Sequence, residues 1–241
     1  MANRDVTLNR RVGAFYAAGT VLLVSGAMLG WPWGAPLLWP AVSCAIVAIG
    51  YAGVGPGIYR KSDGRLPHVI RVIMAPVLLG QELSLRHYRQ HGRPWDEAAP
   101  ELLMGRKLNG AEAEELIASG VTAVLDLTAE FPEVKLLRQT AYYNLQILDL
   151  TAPTFEQMQR AVEFIRENAA TGIVYVHCKI GYSRTAAAVG AYLMAAGHAT
   201  DADDAMAQMR KARSPLVIRP EVIEALRAFQ DSLRDGKALT P

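Results

Sequence analysis

The most telling absence in this 241-residue chain is local: between Val12 and Tyr59 there is no charged residue. Elsewhere the charges nearly cancel, with 25 Lys and Arg against 23 Asp and Glu and a net charge of +2. No basic block with interleaved aromatics occurs, and with no strong field of either sign nucleic acid is excluded as a partner. Cysteine is almost missing as well. Cys44 and Cys178 are the only two, and neither has a disulfide partner in view, a CxxC spacing or a Cys/His metal-ligand spacing. A disulfide scaffold and a zinc module are therefore excluded, and the pattern suits a reducing compartment. Cys44 falls in the uncharged tract, where a small apolar contact explains it.

The uncharged tract divides into two apolar halves of roughly 19 residues, each about 28 Å long as a helix, which matches a bilayer core. W-P-W-G-A-P, residues 31–36, supplies the break between them, and its Trp residues suit a membrane interface. The expectation is a two-helix transmembrane hairpin over residues 1–60, with spans at about 12–30 and 37–55. Gly26 and Gly30 form a GxxxG that permits close helix contact. Arg4, Arg10 and Arg11 precede the first span, and Arg60, Lys61, Arg65 and Arg71 follow the second, while the connecting loop carries no Lys or Arg. By the positive-inside rule the N-terminus and everything after residue 60 face the cytoplasm, and the lipid bilayer is a partner.

Residues 61–100 read as a juxtamembrane or interfacial linker, apolar residues mixed with Arg71 and interrupted by Pro67 and Pro76. His87 and His91 have helical i, i+4 spacing but no third ligand in register, so a solvated face is expected there. From residue 101 the pattern becomes regular. V-T-A-V-L-D-L, Y-Y-N-L-Q-I-L and I-V-Y-V-H-C are apolar strands. T-F-E-Q-M-Q-R-A-V-E-F-I-R-E-N is an amphipathic helix with Thr154 as its N-cap. Strands alternating with helices predict an α/β three-layer sandwich with a largely parallel central sheet over 101–233. Residues 234–241 read as a flexible tail.

The chemistry concentrates in H-C-K-I-G-Y-S-R-T, His177–Thr185. Cys178 ends a buried strand and a buried helix follows, the sheet edge at which open α/β folds bind ligands. The amides of Lys179, Ile180, Gly181, Tyr182 and Ser183 can curl around an anion under the positive end of that helix. The same field favours a thiolate at Cys178. Arg184 can hold two phosphate oxygens at once, and Thr185 can donate its hydroxyl to the sulfur.

Cys-x5-Arg-Thr, from Cys178 to Thr185, is the signature of the cysteine-based protein tyrosine phosphatase superfamily, and the chain resembles its small dual-specificity branch over roughly residues 101–230. The resemblance implies a dual-specificity phosphatase-like fold, a phosphocysteine intermediate, no metal and no cofactor. It implies that His177 orders the loop. It also implies a general acid upstream. Asp149, 29 residues before Cys178, has the spacing of small members. Asp126, in the near-identical context V-L-D-L-T-A-E, is the rival acid or a support for the loop, and Glu130 is a weaker candidate. Lys179 in C-K-x-G-x-S-R resembles members acting on phosphoinositides and phosphatidylglycerophosphate, whereas Tyr182 stands where lipid-acting members often have a basic residue. The implied activity is a membrane-anchored phosphate monoester hydrolase acting on a phospholipid headgroup. The alternatives are a dual-specificity phosphatase of phosphotyrosine and phosphoserine/threonine in proteins, and a non-catalytic phospho-binding module. The topology has a direct check: a reporter fused after residue 60 is expected to be active on the cytoplasmic side, and activity on the opposite side overturns the orientation.

Overall fold

The computed structural model describes residues 9–90 and 92–235. Arg4, His91 and residues 236–241 of the expected tail lie outside the described residues. Helix α1 (Arg10–Leu29) and helix α2 (Leu38–Ile49) form the hairpin, followed by α3 (His68–Ile73) and α4 (Ala75–Arg89). Then come β1 (Trp95–Ala99), β2 (Leu102–Arg106), α5 (Gly110–Ala118), β3 (Val121–Thr128), β4 (Ala141–Ile147), α6 (Phe155–Ala169), β5 (Ile173–Cys178), α7 (Ser183–Ala195), α8 (Ala202–Ala212) and α9 (Pro220–Arg234).

The five strands lie in the order β1-β2-β5-β3-β4, and only the β1–β2 pair is antiparallel. Strand β5 is central and buried on both faces, which is why I-V-Y-V-H-C is apolar without alternation. Helices α6 and α7 lie on one face with α9 packed on them, α8 adjoins β1, and Ile165, Leu226 and Phe229 share one buried cluster with Leu102, Leu125 and Val176 of the sheet. Helix α5 covers the other face with Leu116 against Val124 and Tyr175. The sheet is thus the middle of three layers. Sequence-encoded caps start the helices on time: Asn109 with Glu112 and Thr154 with Gln157 each form a reciprocal capping box. At α7, by contrast, eleven of thirteen residues are buried, so this helix is a core element and its first turn is fixed from all sides.

Two boundaries differ from those read in the sequence. Trp95–Ala99, inside the stretch expected to be linker, is the edge strand β1. W-D-E-A-A is too polar to announce a strand. It is held by pairing with β2 and by Asp96, whose buried carboxylate lies 2.6 Å from both Arg213 and Arg93. The second apolar segment is α-helical only to Ile49. It then widens over Gly50–Val54 and tightens over Gly55–Tyr59, with Gly53 and Gly55 at φ 140° and 75°. G-Y-A-G-V-G-P-G is rich enough in glycine to leave the regular helix without steric cost.

Arg10–Leu29 and Ala35–Tyr59 are both long and apolar enough to cross a membrane, by length and composition. Their outer surfaces expose Phe15, Leu22 and Leu29 on the first and Trp39 and Ile49 on the second. The root of the hairpin, however, packs on the sheet end: Val47, Tyr51, Tyr59, Leu66 and Met74 form one cluster with Ala129 and Leu148. The α3–α4 junction lies along α2, where Ser43 Oγ donates to Ile73 O at 2.6 Å and Trp39 Nε1 donates to Val72 O at 3.0 Å. These side chains satisfy carbonyls that the break between the two helices leaves free.

Lys61, directly after the hairpin, is driven under the sheet end. Its Nζ donates to Asp126 Oδ2 at 2.6 Å and to Thr128 O at 2.8 Å, and both side chains of the ion pair are fully buried. Burial alone would raise the Asp126 pKa. The charge of Lys61, then that of His177, outweighs it and holds the carboxyl well below its ordinary value. The pair therefore contributes stability above the ordinary carboxylate range, and that contribution is lost as pH falls through the depressed value. Lys61→Met is expected to cost about 3–5 kcal/mol, because it strands a buried carboxylate. Melting curves at neutral and acid pH check this: the deficit should narrow on acidification, and an unchanged melting temperature at pH 7 would contradict it.

Candidate active site

The register of three parallel strands sets the site. Arg106, Cys178, His177 and Asp126 meet at one sheet edge, with Arg106 beside Cys178 and Asp126 beside His177. Beyond Cys178 the chain turns through Lys179–Tyr182 into α7. Gly181 has φ 77°, and a Cβ there would sit 2.4 Å from Gly105 O, so this turn admits only glycine. The Gly181 amide donates to Cys178 Sγ at 3.3 Å. The outside of the loop is braced from the sheet and from α8. Lys107 N donates to Lys179 O, and Arg213 Nη2 donates to Ile180 O at 3.1 Å. With its carbonyls held outward in this way, the loop can direct its amides at a common centre.

Cys178 is buried, which by itself raises a thiol pKa. The Arg184 charge, the Thr185 hydroxyl and the amides of Thr185 and Ile180 outweigh burial, and the net shift is downward. Thiolate character is thus built in by position. Arg184 is equally buried, and both terminal nitrogens of its guanidinium are engaged. Nη1 donates to Glu130 Oε2 at 3.1 Å and to Ile147 O at 2.9 Å. Nη2 donates to Glu130 Oε1 at 2.7 Å and to Asp149 Oδ1 at 3.0 Å. Glu130 fixes the plane of the guanidinium through two parallel bonds, and Asp149 brings a partly exposed carboxylate to the same nitrogen.

Cys178, Lys179, Ile180, Tyr182, Ser183, Arg184 and Asp149 all line one cleft of about 360 Å3, together with Tyr88 and Arg219. Thr185 is buried directly behind it. Ser183 turns its hydroxyl away from the loop centre, donating to Val217 O and accepting from Arg219 N, so it fastens the 217–219 segment as the cleft's far wall. Lys179 Nζ donates to Gln81 Oε1 of α4 at 2.5 Å and lies 4.0 Å from Asp149 Oδ2. Its burial lowers its pKa more than Asp149 and Glu130 raise it. Tyr182 meets Tyr88 of α4 edge to face, ring centres 6.4 Å apart.

Asp126 is placed away from the cleft lining. It is fully buried and accepts hydrogen bonds from Lys61, Thr128 and Tyr142. His177 lies beside it, its Nε2 2.9 Å from Glu133 Oε2 and 3.9 Å from Asp126 Oδ1. Burial lowers the His177 pKa, but Glu133 and then Asp126 raise it more, and the net shift is upward. Asp126, Glu133 and His177 bring three ligand-type atoms within 4.8 Å of one another. Cationic side chains already stand against this group, Lys61 on Asp126 and Lys107 3.7 Å from Glu133.

Glu130, in the sequence only a weaker candidate for the acid, is the carboxylate that clamps Arg184. The one available signal was its position in the turn directly after β3, at the same sheet edge as Cys178. Tyr88 and Gln81 carried no signal, because they belong to α4, which only the fold brings to the cleft: Gln81 lies 98 residues before Lys179.

The comparisons with known proteins agree with this geometry. Residues 103–232, just over half of the chain, match the family described as dual specificity phosphatase, catalytic domain. Phosphatidylglycerophosphatase and protein-tyrosine phosphatase 1 of Mus musculus is 37% identical over 92 residues, 37% of this chain and 47% of the relative. Phosphatidylglycerophosphate phosphatase PTPMT2 of Arabidopsis thaliana is 28% identical over 176 residues, 69% of this chain and 76% of the relative. The chain spans about half the length of this first relative and of its rat and human counterparts. A crystal structure of PTPMT1 superposes with a TM-score of 0.54 at 25% identity, covering 61% of this chain and 99% of that one. A strand-end cysteine, an arginine at the first turn of the next helix and this family match lead to one conclusion: the chain belongs to the dual specificity phosphatase family.

Proposed function

We propose that the protein is a membrane-anchored phosphatase whose substrate is a phospholipid bearing a terminal phosphate monoester. The observation that carries this reading is the construction of the cleft. One wall is α4, and the loop bearing Asp149 rests on the hairpin root, so the opening lies beside the apolar helices. Val69, Val72, Leu79 and Leu83 form an exposed apolar stripe along α3 and α4, adjoining the exposed apolar surfaces of α1 and α2. Exposed apolar surface of this extent fits contact with lipid. Lys179, Arg184 and Arg219 make the cleft cationic, as an anionic headgroup requires. Two relatives carry phosphatidylglycerophosphate phosphatase activity in their names, which favours a lipid phosphate of that kind. In this reading the apolar hairpin anchors the protein in the bilayer with the catalytic part in the cytoplasm, and tethering raises the effective concentration of headgroups at the cleft.

In the proposed mechanism the Cys178 thiolate attacks phosphorus in line. The S–P bond forms as the P–O ester bond breaks, and Asp149 gives its proton to the departing oxygen. Arg184 and the loop amides hold the equatorial oxygens, the positioning and charge role that dominates phosphoryl transfer. Asp149, now a carboxylate, takes a proton from water. That water attacks the phosphocysteine, and phosphate and the thiolate are released, with Thr185 donating to the departing sulfur. Glu130 keeps the guanidinium oriented throughout. Asp126 and His177 support the loop from below, and Asp126, paired to Lys61 out of reach of the cleft, is not the acid.

Cys178→Ser is expected to abolish turnover. Asp149→Ala should slow hydrolysis of alkyl phosphates about 10²–10⁴-fold, the range of general acid catalysis, and affect aryl phosphates with acidic leaving groups less. Steady-state rates with both substrate types decide the assignment, and a larger loss in Asp126→Ala on alkyl phosphates would transfer the role. The substrate class is tested by phosphate release from a panel of phospholipids in mixed micelles beside a panel of phosphopeptides. Lipid turnover is expected, and turnover of peptides with every lipid left intact would establish the protein-phosphatase alternative instead.

A further inference from the structure

Two donors at the root of the hairpin reach the loop that carries Asp149. Tyr51 Oη, from the end of the second apolar segment, donates to Asp149 O at 2.6 Å. Asn9 Nδ2, at the start of the first, donates to Leu150 O at 2.8 Å. These are consecutive peptide carbonyls on either side of the Asp149–Leu150 bend. Leu150 has φ 58°, a left-handed conformation that a branched side chain rarely adopts and that persists only where surrounding contacts enforce it. The two hydrogen bonds are such contacts, and the Leu150 amide adds a third by donating to Asp149 Oδ1 at 3.1 Å.

Both donors are themselves fixed. Asn9 is the N-cap of α1, and its Oδ1 accepts from Val12 N at 3.3 Å, which turns Nδ2 outward toward the loop. Tyr51 is buried and its ring stacks on Tyr16 of α1, centres 6.3 Å apart and planes within 8°. The carbonyls are thus gripped by the hairpin as a unit, while the Asp149 carboxylate on the opposite side of the loop meets Arg184.

We infer that Tyr51 and Asn9 are positioning residues for Asp149, and that the apolar hairpin is a working part of the active site as well as an anchor. This rests on Asp149 being the general acid. Neither residue touches the reacting atoms. They hold the acid loop by its backbone, so that the carboxyl group stands where the leaving oxygen must be protonated. A change in how the two helices sit against each other would reach the chemistry through these two bonds.

The test uses the full chain in detergent micelles. Tyr51→Phe removes one donor without changing shape. Asn9→Asp removes the other but keeps an oxygen to cap α1. Rates are measured on one alkyl phosphate and a series of aryl phosphates of graded leaving-group pKa, each variant being made alone and in an Asp149→Ala background. Each single variant should lose about tenfold on the alkyl phosphate, the equivalent of one hydrogen bond, with a steeper dependence on leaving-group pKa and unchanged rates on the most acidic leaving group. In the Asp149→Ala background neither change should cost anything further, because there is no acid left to position. Equal losses in both backgrounds, or an unaltered leaving-group dependence, overturn the inference and make the contacts merely structural. Asp149→Ala slowing alkyl turnover while both variants match the parent also overturns it, yet leaves the acid assignment standing. If Asp149→Ala itself leaves alkyl turnover intact, the acid assignment fails and the inference falls with it. A variant that lowers the melting temperature sharply is set aside in favour of the other.

Discussion

The site depends on a guanidinium held out of water. Arg184 opens the most buried helix of the fold, and a charge in that position survives only with full hydrogen bonding and countercharge. Three chain segments supply them. Glu130 comes from the turn after β3, the Ile147 carbonyl from the end of β4, and Asp149 from the loop just beyond. The ends of two strands and the start of α7 are thereby fixed relative to one another, and Cys178 ends β5, the strand beside β3. The groups that satisfy the arginine are the ones that shape the cleft, so packing and chemistry are set by the same contacts.

Beneath this lies a second buried ionic layer. Lys61, Asp126, His177, Glu133 and Lys107 follow one another under the loop, two carboxylates set among basic side chains. Its net effect is to keep Asp126 and Glu133 as carboxylates and to raise the His177 pKa. Such a layer adds little net stability over an apolar core of the same shape. What it does supply is direction. Each charge has one satisfying arrangement, and the loop above inherits that arrangement through His177, the neighbour of Cys178.

The N-terminal part joins both layers. Lys61 enters the lower one, Gln81 and Tyr88 of α4 contact Lys179 and Tyr182 at the cleft, and Tyr51 and Asn9 hold the loop that carries Asp149. Residues 61–90 therefore pack as part of the fold, although their polar and proline-broken composition reads as a linker. The apolar hairpin continues into them through Met74 and Leu66 without a separating gap in the core.

Much was determined by the sequence alone, because local rules suffice there. Strands β3, β4 and β5 and the helices after residue 101 follow from periodicity and caps. Cys178, Gly181 and Arg184 follow from a spacing that closes an anion-sized ring at a strand-to-helix turn. The 48 uncharged residues from Val12 to Tyr59 mark the hairpin. What only the tertiary structure decided are contacts between residues far apart in the chain. Asp126 and Asp149 share almost the same local sequence, yet one is sealed against Lys61, 65 residues away, and the other faces Arg184 across the cleft. No local pattern separates them, since burial and countercharge are properties of the folded neighbourhood. The same holds for Glu130, whose role exists only once α7 delivers an arginine to it, and for Tyr51, whose hydroxyl sits in an apolar tract until the fold sets it against the carbonyl of Asp149.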